Sequence, residues 1–422
     1  MSGLTSIVGS GVFLGLAPAA SVAGRWLLPA VGVAALAALC SAFSIADQSR
    51  AYPGVEGGGY GYLRTQLGPW PARLGASAHL LGRAAIAAAL AGMAAAYAFP
   101  ENRTLVALLV LVCAGVLSAT GVRWSGPVPW LVAATVLTVL VLVVLTCFGV
   151  APPPAPAAPP ADEDFTAFLG VAAVMFVAFS GFERITAPLR GDPVHSARTL
   201  RWAIPLLIGL VLAITLAVAA AVQHQLGSAR LGLSPAPLRD ALLAADGGWL
   251  VPLVQFGAVV AALAVLVPVL GGLRRTLGAL ASTGDLPVRL APGADGRAPW
   301  LDLLGGASAA VVLLLVPPSA ALAIGACGTL FYYAFTNASA RLLVHEDRAW
   351  SMRTACLGLG LSVLLAMSAP IEALVTTGVA MGVGSALLGL CARIGARLRA
   401  RMVPPRESRT SDSRDSDFLL RE

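Results

Sequence analysis

Two stretches decide how this chain is read: Val8-Gly9-Ser10-Gly11-Val12-Phe13 and Val177-Ala178-Phe179-Ser180-Gly181-Phe182-Glu183. Each interrupts an apolar segment with glycine and serine, and they fall in the first and sixth of the apolar segments counted along the chain. Inside lipid hydrocarbon, an unwound stretch leaves N–H and C=O groups bare at several kcal/mol each. Such a break survives only against protein, a water-filled cavity or a ligand. A matched pair of breaks is the pattern of a carrier that holds solute halfway across a membrane.

The composition around the breaks admits one class of protein. Of 422 residues, 58% are hydrophobic and 12% charged, against roughly 25% charged in a soluble domain. Mean hydropathy is +0.82, more apolar surface than one core can hide, so the chain reads as integral to a membrane. Met1 leads straight into an apolar stretch without a basic leader, so no cleaved signal is expected, and a start codon upstream stays open. The net charge of +7 does not point to nucleic acid, because the basic residues are all arginines at the ends of apolar segments and in the tail. Cys40, Cys113, Cys147, Cys327, Cys356 and Cys391 lie singly in apolar segments without metal spacing. They read as reduced packing residues, with no metal and no cofactor expected.

A crossing needs about 20 apolar residues. On that measure twelve spans are expected, near 4–23, 27–47, 76–98, 103–121, 127–150, 165–189, 202–223, 248–272, 300–317, 319–344, 352–369 and 371–391. The last two pairs are split only at Pro317-Pro318 and at Pro370. Residues 50–75 read as a long, glycine-rich basic connection, 151–164 as a polyproline-like spacer with an acidic end, and 402–422 as a disordered tail. The expected organisation is one transporter domain over 1–398, with repeat one about 4–150, repeat two about 165–344, and two further helices about 352–391.

Basic loops stay cytoplasmic. Assigned to the nearest loop or tail, 24 arginines fall after even-numbered spans and in the C-terminal tail, and 4 after odd-numbered spans. Both termini are therefore expected inside. The first span then starts inside and the sixth outside, so the second unit is inverted relative to the first, as in secondary transporters built from inverted repeats. A break in the first span creates a helix N-terminus near Ser10-Gly11-Val12, suited to a carboxylate. A break in the sixth exposes carbonyls near Ala178-Phe179-Ser180, suited to an ammonium group. One pole of each sign fits a zwitterion, most simply an α-amino acid. Close helix packing through small residues is the alternative use of such glycines.

These residues carry a family resemblance. Gly9-Ser10-Gly11-Val12-Phe13 resembles the first-helix motif of the amino acid–polyamine–organocation (APC) superfamily of amino acid permeases. Pro53 through Gly57-Gly58-Gly59-Tyr60-Gly61-Tyr62-Leu63 is similar to its loop motif after the second helix. Phe176-Val177-Ala178-Phe179-Ser180-Gly181-Phe182-Glu183 resembles its sixth-helix motif, and Arg275 through Ala281-Ser282-Thr283-Gly284-Asp285-Leu286-Pro287 its loop after the eighth. The resemblance implies an all-α integral membrane protein of 12 transmembrane helices, in a 5+5 inverted repeat of the APC/LeuT-like kind with broken helices 1 and 6, plus two C-terminal helices. It implies a solute carboxylate held on backbone amides of Gly9, Ser10, Gly11 and Val12, and an amino group on carbonyls near Ala178, Phe179, Ser180, Gly181 and Phe182. Phe179 or Phe182 would act as a gate, with a bundle of helices 1, 2, 6 and 7 rocking against a scaffold. The chain departs from the pattern by one extra residue between Pro53 and Gly57, no Lys in the fifth span, and no Ser or Thr in the eighth. A sodium site on eighth-span hydroxyls is therefore not expected, and a proton is the candidate coupling ion.

Glu183 is the one acidic residue near the middle of a span, and intramembrane carboxylates are functional candidates by default. It reads either as a coupling or gating group or as a cap on the inner half-helix paired with Arg184. Arg83 and His79, one turn apart on the third span, either reach Glu183 or the solute, or snorkel to the rim. Tyr332, Tyr333 and Asn337 read as packing and interhelical hydrogen bonds, and Gln255 and Phe256 as possible pocket lining. The expected function is a secondary active transporter of amino acids or related small amines in a cell (inner) membrane. An exchanger or exporter of the same fold, or a non-transporting sensor, is the alternative. The expected partners are a small amine solute and the lipid bilayer. Neither an enzyme nor a channel is expected, since no catalytic grouping and no continuous polar stripe occurs.

Overall fold

A computed structural model of the chain describes the backbone of residues 10–23, 26–53, 55, 58–120, 127–153, 165–186, 196–291 and 298–402. All regular structure among the described residues is helical. In chain order, the first half comprises α1 (Ser10–Ala23), α2 (Leu27–Ala51), α3 (Gly59–Leu67), α4 (Pro69–Ala98), α5 (Arg103–Ala119) and α6 (Val128–Gly149). The second comprises α7 (Phe165–Met175), α8 (Glu183–Thr186), α9 (Ala197–Leu233), α10 (Pro237–Ala244), α11 (Val251–Ser282), α12 (Pro299–Leu315) and α13 (Pro318–Ala340). Two helices follow, α14 (Met352–Met367) and α15 (Ile371–Met402). Among the described residues, eight helices are long and apolar enough to cross a membrane: α2, α4, α5 with its preceding turn from Pro100, α6, α9, α11, α13 and α15. The stretches in α7 with its following turn, in α12 and in α14 are apolar but shorter.

The helix α4 is the axis of the structure. It packs along α13, α11, α15 and α5, and its alanine-rich face from Ala84 to Ala95 is buried. Small residues let it approach α13 backbone to backbone. A Cβ at Gly328 would lie 2.8 Å from the Ala78 carbonyl oxygen, and one at Gly82 would lie 2.9 Å from the Thr329 amide nitrogen. The outer helices present leucine and valine outward, among them Leu105, Leu145, Leu315 and Val379. Water would penalise such a surface; hydrocarbon does not.

The structure corrects the sequence reading in several places. Residues 50–75 are not one long connection: they contain α3 and the first turns of α4, which begins at Pro69 rather than near residue 76. Nine residues are too few to read as a span, yet Tyr60, Tyr62 and Leu63 are buried and hold α3 in place. The seventh apolar stretch runs from Ala197 to Leu233, divided at Gly227, whose φ of 68° breaks the helix. Just before that break, Gln225 Nε2 donates to the carbonyls of Cys147 and Val150, each at 2.6 Å, tying α9 to the end of α6. Between α9 and α11 the chain folds into α10. The tight pairs do separate at proline: Pro318 opens α13, and α15 starts just after Pro370. Most of the 151–164 spacer, and the tail beyond residue 402, lie outside the described residues.

Candidate functional site

The sixth apolar segment is broken where its glycine predicts. After α7 the chain tightens into a 3-10 turn over Phe176–Phe179, leaves helical geometry at Ser180 with φ −75° and ψ 91°, and resumes a helix at Glu183. The Ser180 amide and hydroxyl both turn back to the Val177 carbonyl, at 3.1 and 2.8 Å. The Phe182 carbonyl accepts from the amides of Ile185 and Thr186 at 2.9 and 3.1 Å, starting α8. Between these two anchors the backbone of Ser180–Phe182 is out of the helical ladder. Phe176, Val177, Ala178, Phe179 and Phe182 are buried and Ser180 and Gly181 half-buried, so the break lies among packed side chains, consistent with the cost of bare backbone in lipid.

The break expected in the first span falls at the edge of the described residues. The helix α1 begins at Ser10, so Ser10, Gly11 and Val12 form its first turn, while Gly9 and everything before it lie outside the described residues. The two elements meet: α1 packs against α7 and against the 176–179 turn. Gly15 permits the approach, since a Cβ there would stand 3.0 Å from the Met175 sulfur. Phe13, one turn into α1, is buried and sits edge-to-face on Tyr97, ring centres 5.5 Å apart.

Below the break lies a buried polar cluster joining α4, α8 and α13. The Arg83 guanidinium donates from Nη2 to Glu183 Oε2, and the Tyr333 hydroxyl donates to Glu183 Oε1 at 2.8 Å. The side chains of Arg83 and Glu183 are 6% and 14% exposed, so Arg83 does not snorkel to the rim. Both carboxylate oxygens are thus charge-compensated or hydrogen-bonded, the condition on which a buried ion survives. The Tyr333 ring also packs against Phe182 at 5.3 Å and Phe176 at 5.4 Å, tying the carboxylate's donor to the walls of the break. His79, one turn before Arg83, lies against Tyr332 with ring centres 4.1 Å apart.

The expectation that Arg83 reaches Glu183 is met, and Tyr333, read as packing and interhelical hydrogen bonding, makes its interhelical bond to the Glu183 carboxylate. Phe256, read as possible pocket lining, is 60% exposed on the outward face of α11. Asn337 does make an interhelical hydrogen bond, from Nδ2 to Ser41 Oγ at 3.1 Å. Among the described residues, no grouping of His, Cys, Asp and Glu could hold a metal.

The profile of a family described as amino acid permease matches residues 1–371. An uncharacterized transporter of Mycobacterium tuberculosis is 35% identical over 422 residues, covering 98% of this chain and 92% of its own length. An uncharacterized transporter of Mycobacterium bovis matches to the same extent. With a buried, broken sixth segment, lipid-facing outer helices and a family match over most of its length, this multi-pass membrane protein belongs to the amino acid permease family.

Proposed function

We propose that this chain is a secondary active transporter that moves a neutral amino acid, or a related small amine, by alternating access. One observation carries the reading: the chain leaves helical geometry at Ser180–Phe182 beside a turn, Phe176–Phe179, that packs against α1, and the next residue is a carboxylate held by Arg83 and Tyr333. In this reading the solute carboxylate rests on the amides of Gly9, Ser10, Gly11 and Val12, at the positive end of α1. Its ammonium group rests on carbonyls of Ala178, Phe179, Ser180 and Gly181, with Phe182 closing over it. Glu183 is already compensated by Arg83, so it offers no free acid to a cationic side chain, which favours a neutral solute.

The chain then crosses the membrane twelve times, in two inverted units of five followed by α14 and α15. Both termini lie in the cytoplasm, as the arginine distribution of 24 to 4 supports, and the protein sits in the cell (inner) membrane. Glu183 and Arg83 act as a gate beneath the solute, whose opening separates the pair.

Thermal-shift measurements on the purified protein with a panel of neutral, acidic and basic amino acids test binding. Uptake of the stabilising solutes into proteoliposomes tests transport. Stabilisation by a neutral amino acid together with flux is expected. Stabilisation without flux makes the protein a sensor, and the absence of both effects overturns the reading. Uptake by Glu183→Gln as a function of pH separates two roles: a gate keeps the pH profile at reduced rate, whereas a flattened profile assigns Glu183 to proton coupling.

A further inference from the structure

The nine-residue helix α3 lies across the arginine-rich end of the structure and is held there by one buried acid. Asp285, whose side chain is 1% exposed, follows α11. Its backbone is fixed by a helix-terminating turn in which Gly284 takes φ 81°, and the amides of Asp285 and Leu286 both donate to the Leu280 carbonyl, at 2.8 and 3.0 Å. Its carboxylate then accepts from three donors on the other half of the chain. The Tyr60 hydroxyl and Arg64 Nη1 of α3 share Oδ2, the arginine at 2.5 Å, and Arg73 Nη2 of α4 donates to Oδ1 at 2.8 Å.

The other side of α3 rests on α13. The Ser339 hydroxyl donates to the Gln66 side chain. Gly59 lies so close to Tyr332 that a Cβ there would be 1.7 Å from its hydroxyl. Tyr332 in turn packs against His79 and against Tyr333, whose hydroxyl donates to Glu183. A continuous line of contacts therefore runs from Asp285 through α3 and Tyr332 to the carboxylate beneath the broken segment.

The ends of α3 are built to turn. Gly58 precedes it at φ 56° and Gly68 follows it at φ 87°, conformations that glycine adopts without the cost other residues bear. The helix α3 is thus a short element between two positive-φ glycines, fastened by side chains on both flanks.

We propose that α3 is a hinged lid over the path beneath Glu183, and that Asp285 is its latch: the arginine-rich end opens when the three donors leave that carboxylate. That this end is the cytoplasmic mouth of a transport path rests on the function proposed above; the hinge and latch do not. The test therefore needs no solute.

Hydrogen–deuterium exchange of the purified full-length chain is compared with that of Asp285→Asn, which keeps the shape and loses the charge. The expected result is exchange at least tenfold faster in peptides covering 58–68, a smaller rise over 327–335, and unchanged exchange in α5 and α6. Asp285→Glu is expected to return most of the protection. Arg64→Gln removes the most exposed donor, 30% exposed, and keeps the proposal testable should Asp285→Asn not fold; it is expected to give the same pattern at lower amplitude. Unchanged exchange over 58–68 overturns the proposal. So does a rise spread evenly over all helices, which would make Asp285 a structural strut. Protection lost as expected in a protein that moves no solute would leave the latch standing and defeat only the transport reading.

Discussion

Replacing Arg83 with Met keeps the apolar stem of the side chain and deletes its charge. Glu183, 14% exposed, keeps its hydrogen bond from the Tyr333 hydroxyl. That hydrogen bond exists before and after the substitution, so it drops out of the difference. What remains is a carboxylate that has paid its desolvation and lost its counter-ion, and breaking a buried pair from one side costs about 3–5 kcal/mol. Glu183→Gln is milder, because the amide oxygen can still accept from Tyr333. It leaves the guanidinium, 6% exposed, without its counter-charge, and is expected to cost about 2–3 kcal/mol on the same scale.

The double variant Arg83→Met/Glu183→Gln removes both charges and leaves a neutral amide against a thioether. Buried pairs replaced on both sides are near neutral, so its loss is expected to stay within about 1 kcal/mol. The two single losses together exceed that by about 3 kcal/mol or more, a coupling energy that only directly interacting groups show. SDS-induced unfolding in mixed micelles, followed by tryptophan fluorescence, measures all four corners of the cycle. A double variant as damaged as the sum of the single ones would refute the pairing.

Other substitutions probe other contacts. Gly328→Val places side-chain carbon where a Cβ alone would come within 2.8 Å of the Ala78 carbonyl oxygen. Pushing α4 and α13 apart is expected to cost roughly 3 kcal/mol or more of overpacking and to show as lost monodisperse protein on size exclusion. Gln225→Leu removes both hydrogen bonds that end α6; a loss of about 1–3 kcal/mol and faster amide exchange confined to α9 near Gly227 and the end of α6 are expected. Tyr60 lies outside the spans, and its phenol is pushed up to about 12 by burial first and by its hydrogen bond to Asp285 second. A raised value in an acid means its contribution is whole below the ordinary tyrosine range near 10 and fades as pH climbs toward 12. The exchange of α3, corrected for intrinsic rates, should therefore stay flat from pH 6 to 9 and rise only above 10.

Much of the frame was legible in the sequence because its signals are local. Runs of apolar residues gave the helices, prolines at 317–318 and 370 gave the splits between the closing pairs, and Gly181 marked the break in the sixth segment. Glu183 stood out as an acid where acids are costly. Its partner was less legible: Arg184 adjoins it in sequence, whereas Arg83 is a hundred residues away, and only the crossing of α4 with α8 brings the guanidinium to the carboxylate. Tyr333 read as an interhelical hydrogen-bonding residue, but which acceptor its hydroxyl meets depends on the fold: a tyrosine on an apolar helix looks the same whether or not it donates to a carboxylate. The helix α3 was hidden for a different reason. Its glycines at 57–59 and 68 read as loop, and the positive φ of Gly58 and Gly68 at its two ends is a backbone angle that composition does not record. Asp285, in a Thr-Gly-Asp turn, looks like a solvated loop acid until three donors from residues 60–73 bury it.

Those pairings also bear on what the arginines do. Arg64, Arg73 and Arg83, counted in sequence as charges that keep a loop on one side, each hold an acid from the second half of the chain. The orientation signal survives, because it depends on the number of basic residues rather than on net charge, but the same side chains also bind the two halves together at that end. The opposite end is fastened differently. There the Leu238 amide donates to the Tyr97 hydroxyl at 3.2 Å, and Gln225 holds the end of α6, with no charge on either donor or acceptor. Hydrogen bonds to charged groups are worth roughly twice neutral ones, so in the proposed cycle opening the arginine-rich end is expected to be the harder step. Its opening rate is therefore expected to rise in Asp285→Asn and Arg83→Met and to stay unchanged in Gln225→Leu; an equal response to all three would mean that the two ends are not fastened independently.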